Sequence, residues 1–262
     1  GKNVTSGTLK FASDGFKLTI PDYGEGQYLT YGLFEYGTKT FADKTDKGNF
    51  RVLNFASDTF NENETSYFHN SIGGYHAAKL RRYNELITAY IRPEMQKAMN
   101  AVVEAQGNMA QVDGKTLFPV LNMLNARYFI LPLQEGRTLP LLNPYAQGTA
   151  WFVDKLTFVN NANEELDALG RMDLSHEAVA DKQFEAQLQG TVKADTTAVV
   201  TMTTYTSNLL SYEVTSANGG VLVFSEIYYP GWTAEVDGQP VELGRVNYVL
   251  RALRVAPGQH KV

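Results

Sequence analysis

A chain of 262 residues exceeds one ordinary domain of about 100–150 residues, so two compact units around separate cores are expected, with one large domain as the alternative. Hydrophobic residues at 44% and charged residues at 19% exclude a disordered or fibrous chain, and an aromatic content of 12%, in 15 Tyr and 14 Phe, suits sheet-rich cores better than a helical bundle. The net charge of −5 gives no attraction for phosphate backbones or anionic headgroups, which excludes nucleic acid as a partner, and the count of 0 Cys removes disulfides, thiolate metal sites and Cys nucleophiles.

The chain opens with alternating apolar residues, Leu9 and Phe11, then Phe16, Leu18 and Ile20, about Asp14-Gly15, which predicts a β-hairpin. A Gly- and Tyr-rich loop is expected from Pro21 to Gly37, a short buried strand over Phe50–Phe55, and a polar loop over Asp58–Ser66. From Tyr75 the period changes. Leu80, Tyr83, Ile87, Ile91, Met95, Ala98 and Val102 fall three or four apart on one helical face. Pro93 within that run predicts a kink or two helices meeting at Arg92-Pro93, with Gly107 as the stop. Thr116–Asn125 is a short helix candidate, Arg127–Leu131 a buried strand ended by Pro132, Trp151–Val159 a further strand, and Asn163–Leu169 a short helix beginning at an Asn cap with Glu164 and Glu165 in its first turn.

Beyond Leu188 the helical period disappears and strands follow one another: Ala198–Tyr205, Leu209–Thr215, Gly220–Ile227, Gly231–Val236, Val241–Leu243 and Val246–Val255. Turn residues separate them, among them Ser207-Asn208, Pro230-Gly231, Asp237-Gly238 and Pro257-Gly258. Short strands at this spacing argue for an antiparallel sandwich. The expected fold is α+β, with a mixed α/β unit over residues 1–185 and an antiparallel β-sandwich over 186–262, the boundary falling in the polar stretch Ala180–Gln189. No run of membrane-spanning length and no signal peptide is visible. Gly1 without an initiator Met, and a strand that begins at Gln259 and stops at Val262, are expected of a piece of a longer chain.

Recognisable chemistry is sparse. His69 and His76, with Asp58, Glu62 and Glu64 nearby, match no zinc spacing and read as hydrogen-bonding loop residues, so no metal is expected. Gly73-Gly74 before the long helix forms neither of the glycine-rich phosphate motifs and reads as a tight turn, while Lys79, Arg81 and Arg82 read as a solvated face or surface ion pairs. There is no GxSxG elbow and no SxxK motif, so no catalytic residue is named and no cofactor is expected. A hydrolase built on two carboxylates would need a pair facing one cleft at about 5–5.5 or about 6.5–9.5 Å.

The most distinctive run is Tyr228-Tyr229-Pro230-Gly231-Trp232. Such rings either fill the space between two sheets or present their faces to sugar rings. Tyr75, His76, Tyr228, Tyr229 and Trp232 are therefore the candidate ligand-contacting residues, Trp232 being expected inside the core. In a regular strand Tyr228 and Trp232 share one face.

The C-terminal segment carries a larger pattern: Ser225-Glu226, Tyr228–Trp232, Asp237-Gly238, Asn247-Tyr248, Arg251, Pro257-Gly258 and His260. With Ser71–His76, Leu80–Tyr83, Leu121–Ile130, Asn143-Pro144 and Ala150–Phe152 upstream, it resembles the soluble part of YfhO-like bacterial membrane proteins. That resemblance implies a multi-pass parent of GT-C glycosyltransferase-like type, with its catalytic acidic residue on an early extracytoplasmic loop between membrane helices, outside this chain. It implies, for this piece, a non-catalytic accessory role on the extracytoplasmic (periplasmic) face, tethered by transmembrane helices. The expected partners are then the membrane part of the parent and a glycan or lipid-linked sugar acceptor, whereas a free periplasmic carbohydrate-binding or interaction module is the alternative.

Overall fold

The computed structural model describes residues 8–12, 15–19, 48–76, 79–133 and 137–262. Gly1, Asp14 of the first turn and the loop expected from Pro21 to Gly37 lie outside the described residues. The chain is an α+β protein dividing into two compact units. Unit 1 holds the described residues of Gly1–Ala78 with Pro93–Asn122 and Ala126–Ala146; unit 2 holds Lys79–Arg92, Met123–Asn125 and Gln147–Val262.

In unit 1 the expected hairpin is present. Strand β1 (Thr8–Ala12) pairs antiparallel with β2 (Gly15–Thr19), Leu9 opposite Leu18 and Phe11 opposite Phe16. The apolar run at 50–55 forms β3 (Arg51–Asn54), whose Val52 and Leu53 are buried. The polar stretch after it is not loop throughout. Glu62 accepts the N–H of Thr65, and α1 (Glu64–Phe68) starts there. Gly73 is required by packing, since a Cβ at that position would lie 1.9 Å from the carbonyl oxygen of Thr59.

The long helical period folds as α2 (Arg81–Leu86), a π-helical turn (Ile87–Ile91) and α3 (Arg92–Glu104). Pro93 therefore does not split the run. Its missing N–H and its ring are incompatible with α-geometry one turn upstream, and the wider turn relieves that conflict. The stop is a Schellman arrangement in which Gln106 (φ 51°) takes the left-handed position. Gly107 donates to Val102 O at 2.8 Å and Gln106 to Val103 O at 3.0 Å.

Glu94, not Met95, occupies the buried face of α3. Its carboxylate accepts the N–H groups of Val120 and Leu121 at 3.1 and 2.9 Å. It thereby caps α5 (Pro119–Met123), which follows α4 (Gly114–Leu117), itself capped by Asp113. Burial pushes the Glu94 carboxyl up to about 8, against the pull of those two N–H groups. Strand β4 (Ala126–Pro132) then runs parallel to β3 and antiparallel to β5 (Thr138–Leu142), closing a sheet of order β3-β4-β5 over Phe118 and Phe129.

In unit 2 the single strand expected over Trp151–Val159 is two. Strand β6 (Ala150–Phe152) is separated from β7 (Lys155–Val159) at Asp154, whose N–H bonds His176 O and whose carboxylate meets His176 Nδ1 at 2.7 Å. Helix α6 (Ala162–Ala168) is capped by Asn161, two residues before the Asn expected to do so. It leads to β8 (Glu177–Asp181), parallel to β7. The stretch Ala180–Gln189 then forms a 3-10 turn (Lys182–Phe184) and α7 (Glu185–Leu188), with Phe184 and Leu188 buried.

The remaining strands are β9 (Val199–Tyr205), β10 (Leu210–Ser216), β11 (Gly220–Ile227), β12 (Ala234–Val236), β13 (Gln239–Val241), β14 (Gly244–Val246), β15 (Leu250–Val255) and β16 (Gly258–Lys261). Apart from β12 and β13, they form the expected antiparallel sandwich, one sheet of order β16-β10-β9 and the other β14-β15-β11-β6, with β6 drawn in from residues 150–152. Tyr212 and Val214 of the first sheet pack with Leu222, Phe224, Leu253 and Val255 of the second. Fully burying such a side chain stabilises by about 1.5–3 kcal/mol. The β12–β13 hairpin turns at Asp237 (φ 53°) and Gly238 (φ 76°), the type I′ geometry that Asp-Gly favours. Among the described residues no helix is long and apolar enough to cross a membrane.

Candidate functional site

Strand β11 ends at Ile227, and the aromatic run after it is a turn rather than a strand. Pro230 and Gly231 (φ 101°) occupy the two central positions, and Trp232 N–H reaches back towards Tyr229 O. This is a type II turn, which needs Pro first and a residue tolerant of positive φ second. Because the backbone reverses here, Tyr228 and Trp232 lose the shared face a strand would give them.

Tyr228 packs edge-on against Phe184, ring centroids 5.5 Å apart, beside the Arg245 guanidinium. Tyr229 is 54% exposed. Trp232 is half-buried, contrary to the expectation that it lies in the core. Its ring is covered by the Arg251 guanidinium at 3.9 Å, and Arg251 Nε donates to Ile227 O at 3.0 Å. A cation on a nearly buried strand is stabilised by the face of an indole, so Trp232 covers a charge that the sheet cannot hide.

Tyr229 and Trp232 line one wall of a groove of about 720 Å³. Ser207, Asn208 and Leu209 of the β9–β10 turn line another, Glu235 lies among its polar groups, and Tyr212 and Phe224 reach it from the core. The volume suits a small ligand, and the mixture of rings with a few polar groups is that of binding sites generally. Glu235 is the single acidic side chain in this lining, so the carboxylate pair of a glycosidase is missing from it.

A second cluster in unit 2 is closed. Glu165, fully buried, accepts Tyr248 N–H at 3.0 Å and meets Arg82 at 3.0 Å and Arg245 at 3.5 Å. Burial pushes its carboxyl up, and the two guanidinium groups draw it back down. Arg82 is therefore not a surface cation: its guanidinium also lies 4.5 Å from the Tyr248 ring centroid. Tyr248 donates to Glu85, and its own hydroxyl is pushed up to about 12 by burial and by that carboxylate. Asn247 (φ 48°) and Tyr248 (φ 72°) interrupt the strand expected over Val246–Val255, held in a left-handed turn by Glu165 and by the Asn247 bond to Val179 N–H. For a bulky residue such as Tyr this conformation is uncommon, and the buried hydrogen bonds enforce it.

The other candidate residues fall elsewhere. Tyr75 and His76 belong to unit 1, are exposed, and are not among the groove's lining residues. Asp237 and His260 pair at 2.7 Å and pin the β12–β13 turn to β16, with Lys261 N–H completing the contact. Among the described residues no group of three or more His, Asp or Glu is placed to hold a metal ion. The aromatic run signalled Tyr229 and Trp232; the covering role of Arg251 and the buried position of Glu165 depend on long-range contacts and carried no local signal.

Residues 173–262 match a family model described as "Bacterial membrane protein YfhO". The match covers β8 to β16, and with them the sandwich, the groove and Arg251. Over these residues the chain is similar to that family. No curated protein and no solved structure matches the chain.

Proposed function

We propose that this chain is the extracytoplasmic accessory part of a membrane-embedded, YfhO-like glycosyltransferase of GT-C type, and that it holds an acceptor glycan while catalysis proceeds elsewhere in the parent. The observation that carries the binding role is the groove, which Tyr229 and Trp232 line together with Ser207, Asn208 and Glu235. Ring faces stack on the apolar face of a pyranose, and hydroxyl, amide and carboxylate groups at the edge hydrogen-bond its hydroxyls. The accessory role rests on the YfhO match and on the single acidic side chain of the lining.

The test is glycan-array and calorimetric binding of the chain and of Tyr229→Ala and Trp232→Ala against bacterial surface glycans. Binding by the unaltered chain that both variants lose, with melting still cooperative, is the expected result. Binding that survives in both variants sinks the groove as the site. The alternative of a free periplasmic module shares the groove and differs in its gene, which would then encode a signal peptide and no membrane spans.

A further inference from the structure

Large apolar side chains collect at the end of the sandwich formed by the β9–β10 turn and the Tyr228–Thr233 segment. Tyr205, Leu209 and Tyr229 are 46%, 55% and 54% exposed. Leu209 and Tyr229 line the same groove, with Trp232 beside Tyr229, and Tyr205 stands across the strand pair from Leu210. Around them the chain is uncharged, with no Asp, Glu, Lys or Arg between Asp195 and Glu213 or between Glu226 and Glu235. Ser207, Asn208 and Thr233 intervene.

Exposed apolar residues grouped in this way mark an interaction surface, whereas single ones need no explanation. The composition narrows the partner. Tyr and Trp with neighbouring Leu, interleaved with small hydroxyl and amide residues and lacking charge, is the mixture found where a protein meets the water–lipid boundary. Both segments lie within the residues that match a bacterial membrane-protein family.

We propose that this end of the sandwich rests in the interfacial layer of a lipid bilayer, Tyr205, Leu209 and Tyr229 entering among the headgroups and Trp232 at the same boundary. The contact competes with the glycan reading for Tyr229 and Trp232, and it is tested with no glycan present. Its electrostatics differ from those of a basic membrane patch: the turns carry no cation, Arg251 is nearly buried beneath Trp232, and the chain's net charge is −5. Attraction therefore comes from apolar and aromatic burial, and anionic lipid gives it no advantage.

The experiment is co-sedimentation of the unaltered chain with zwitterionic phosphatidylcholine–phosphatidylethanolamine vesicles and with vesicles containing phosphatidylglycerol, at low and high salt. Tryptophan emission is followed in parallel in Trp151→Phe, which leaves Trp232 as the reporter. The expected result is binding to zwitterionic vesicles at least as tight as to anionic ones, little affected by salt, with a blue shift of Trp232. Combining Tyr205→Asp, Leu209→Asp and Tyr229→Asp should weaken binding by about tenfold or more with circular dichroism and melting preserved. Absence of binding, binding that tracks anionic lipid and falls with salt, or binding indifferent to the three substitutions would overturn the proposal. So would a lipid-free dimer that the same substitutions dissolve, since a second copy would then be what covers the patch.

Discussion

Tyr228 and Trp232 come from one short run and each meets an arginine, yet the two arginines are placed differently. Tyr228, partly exposed like Trp232, packs on Phe184 and Arg245, and Arg245 is answered by the buried Glu165. Trp232 lies over Arg251 at the wall of a groove, with Tyr229 beside it. The same chemistry serves fold on one side and leaves a surface available on the other. What separates them is the type II turn at Pro230-Gly231, together with the carboxylate that answers Arg245.

The largest effect should come from breaking the side that Glu165 holds. Glu165→Ala leaves Arg82 and Arg245 in a largely dry site and deprives Tyr248 N–H of its acceptor, and is expected to cost about 3–5 kcal/mol in a denaturant titration. A loss under about 1 kcal/mol would mean that water already reaches the cluster.

Next comes a pH effect on the second buried carboxylate. Glu94 lacks the arginine pair of Glu165 and is pushed up to about 8 from an ordinary 4.5. Between those values the folded state holds a proton that the unfolded state has released. The contribution is thus complete below the unfolded value and is lost as pH rises through the folded one. Stability should fall between pH 5 and pH 8 by up to about 1.4 kcal/mol per unit, a slope that Glu94→Gln should flatten in melts taken across that range.

How much of this was legible from residue order differs from one element to another. Strands β9, β10, β11 and β15 were, because alternation and Gly, Asn, Asp and Pro turns are local signals, whereas the strand expected over Val241–Leu243 is replaced by the end of β13 and a loop before β14. Strand β8 was not: Glu177–Asp181 is Ala-rich and is fixed by parallel pairing with β7. The turn at Asn247-Tyr248 contains no Gly or Pro and is imposed by Glu165, 83 positions away from Tyr248. The helical period assigns Met95 to the core face of α3, yet Glu94 is inside because α5 presents two N–H groups to it. Of the groove, the aromatic lining was readable and the β9–β10 lining was not, since only the fold brings positions 207–209 to the same groove as 229–232.

The open side should respond more mildly to truncation. Trp232→Ala removes a half-buried ring and the cover over Arg251, which is expected to cost about 2 kcal/mol in thermal denaturation; a fully buried Trp would cost about 3–5 kcal/mol. The smallest effect is expected from Tyr229→Ala, within about 0.5 kcal/mol of the unaltered chain. A large destabilisation by Tyr229→Ala would place that ring in the packing and erase the contrast between the two sides.

The Asp237-Gly238 turn bears on how the chain ages. An Asp followed by Gly isomerises when the Gly amide nitrogen attacks the side-chain carboxyl carbon and expels its oxygen as water, a reaction that needs the carboxyl protonated and free to rotate. Here one oxygen is held by His260 and the other by Lys261 N–H, and those bonds keep the carboxyl well below its ordinary range and therefore ionised. The geometry that pins the hairpin to β16 also protects this Asp-Gly bond from isomerisation. On prolonged incubation near neutral pH, His260→Ala is expected to accumulate isoaspartate at position 237, detected by peptide mapping, faster than the unaltered chain.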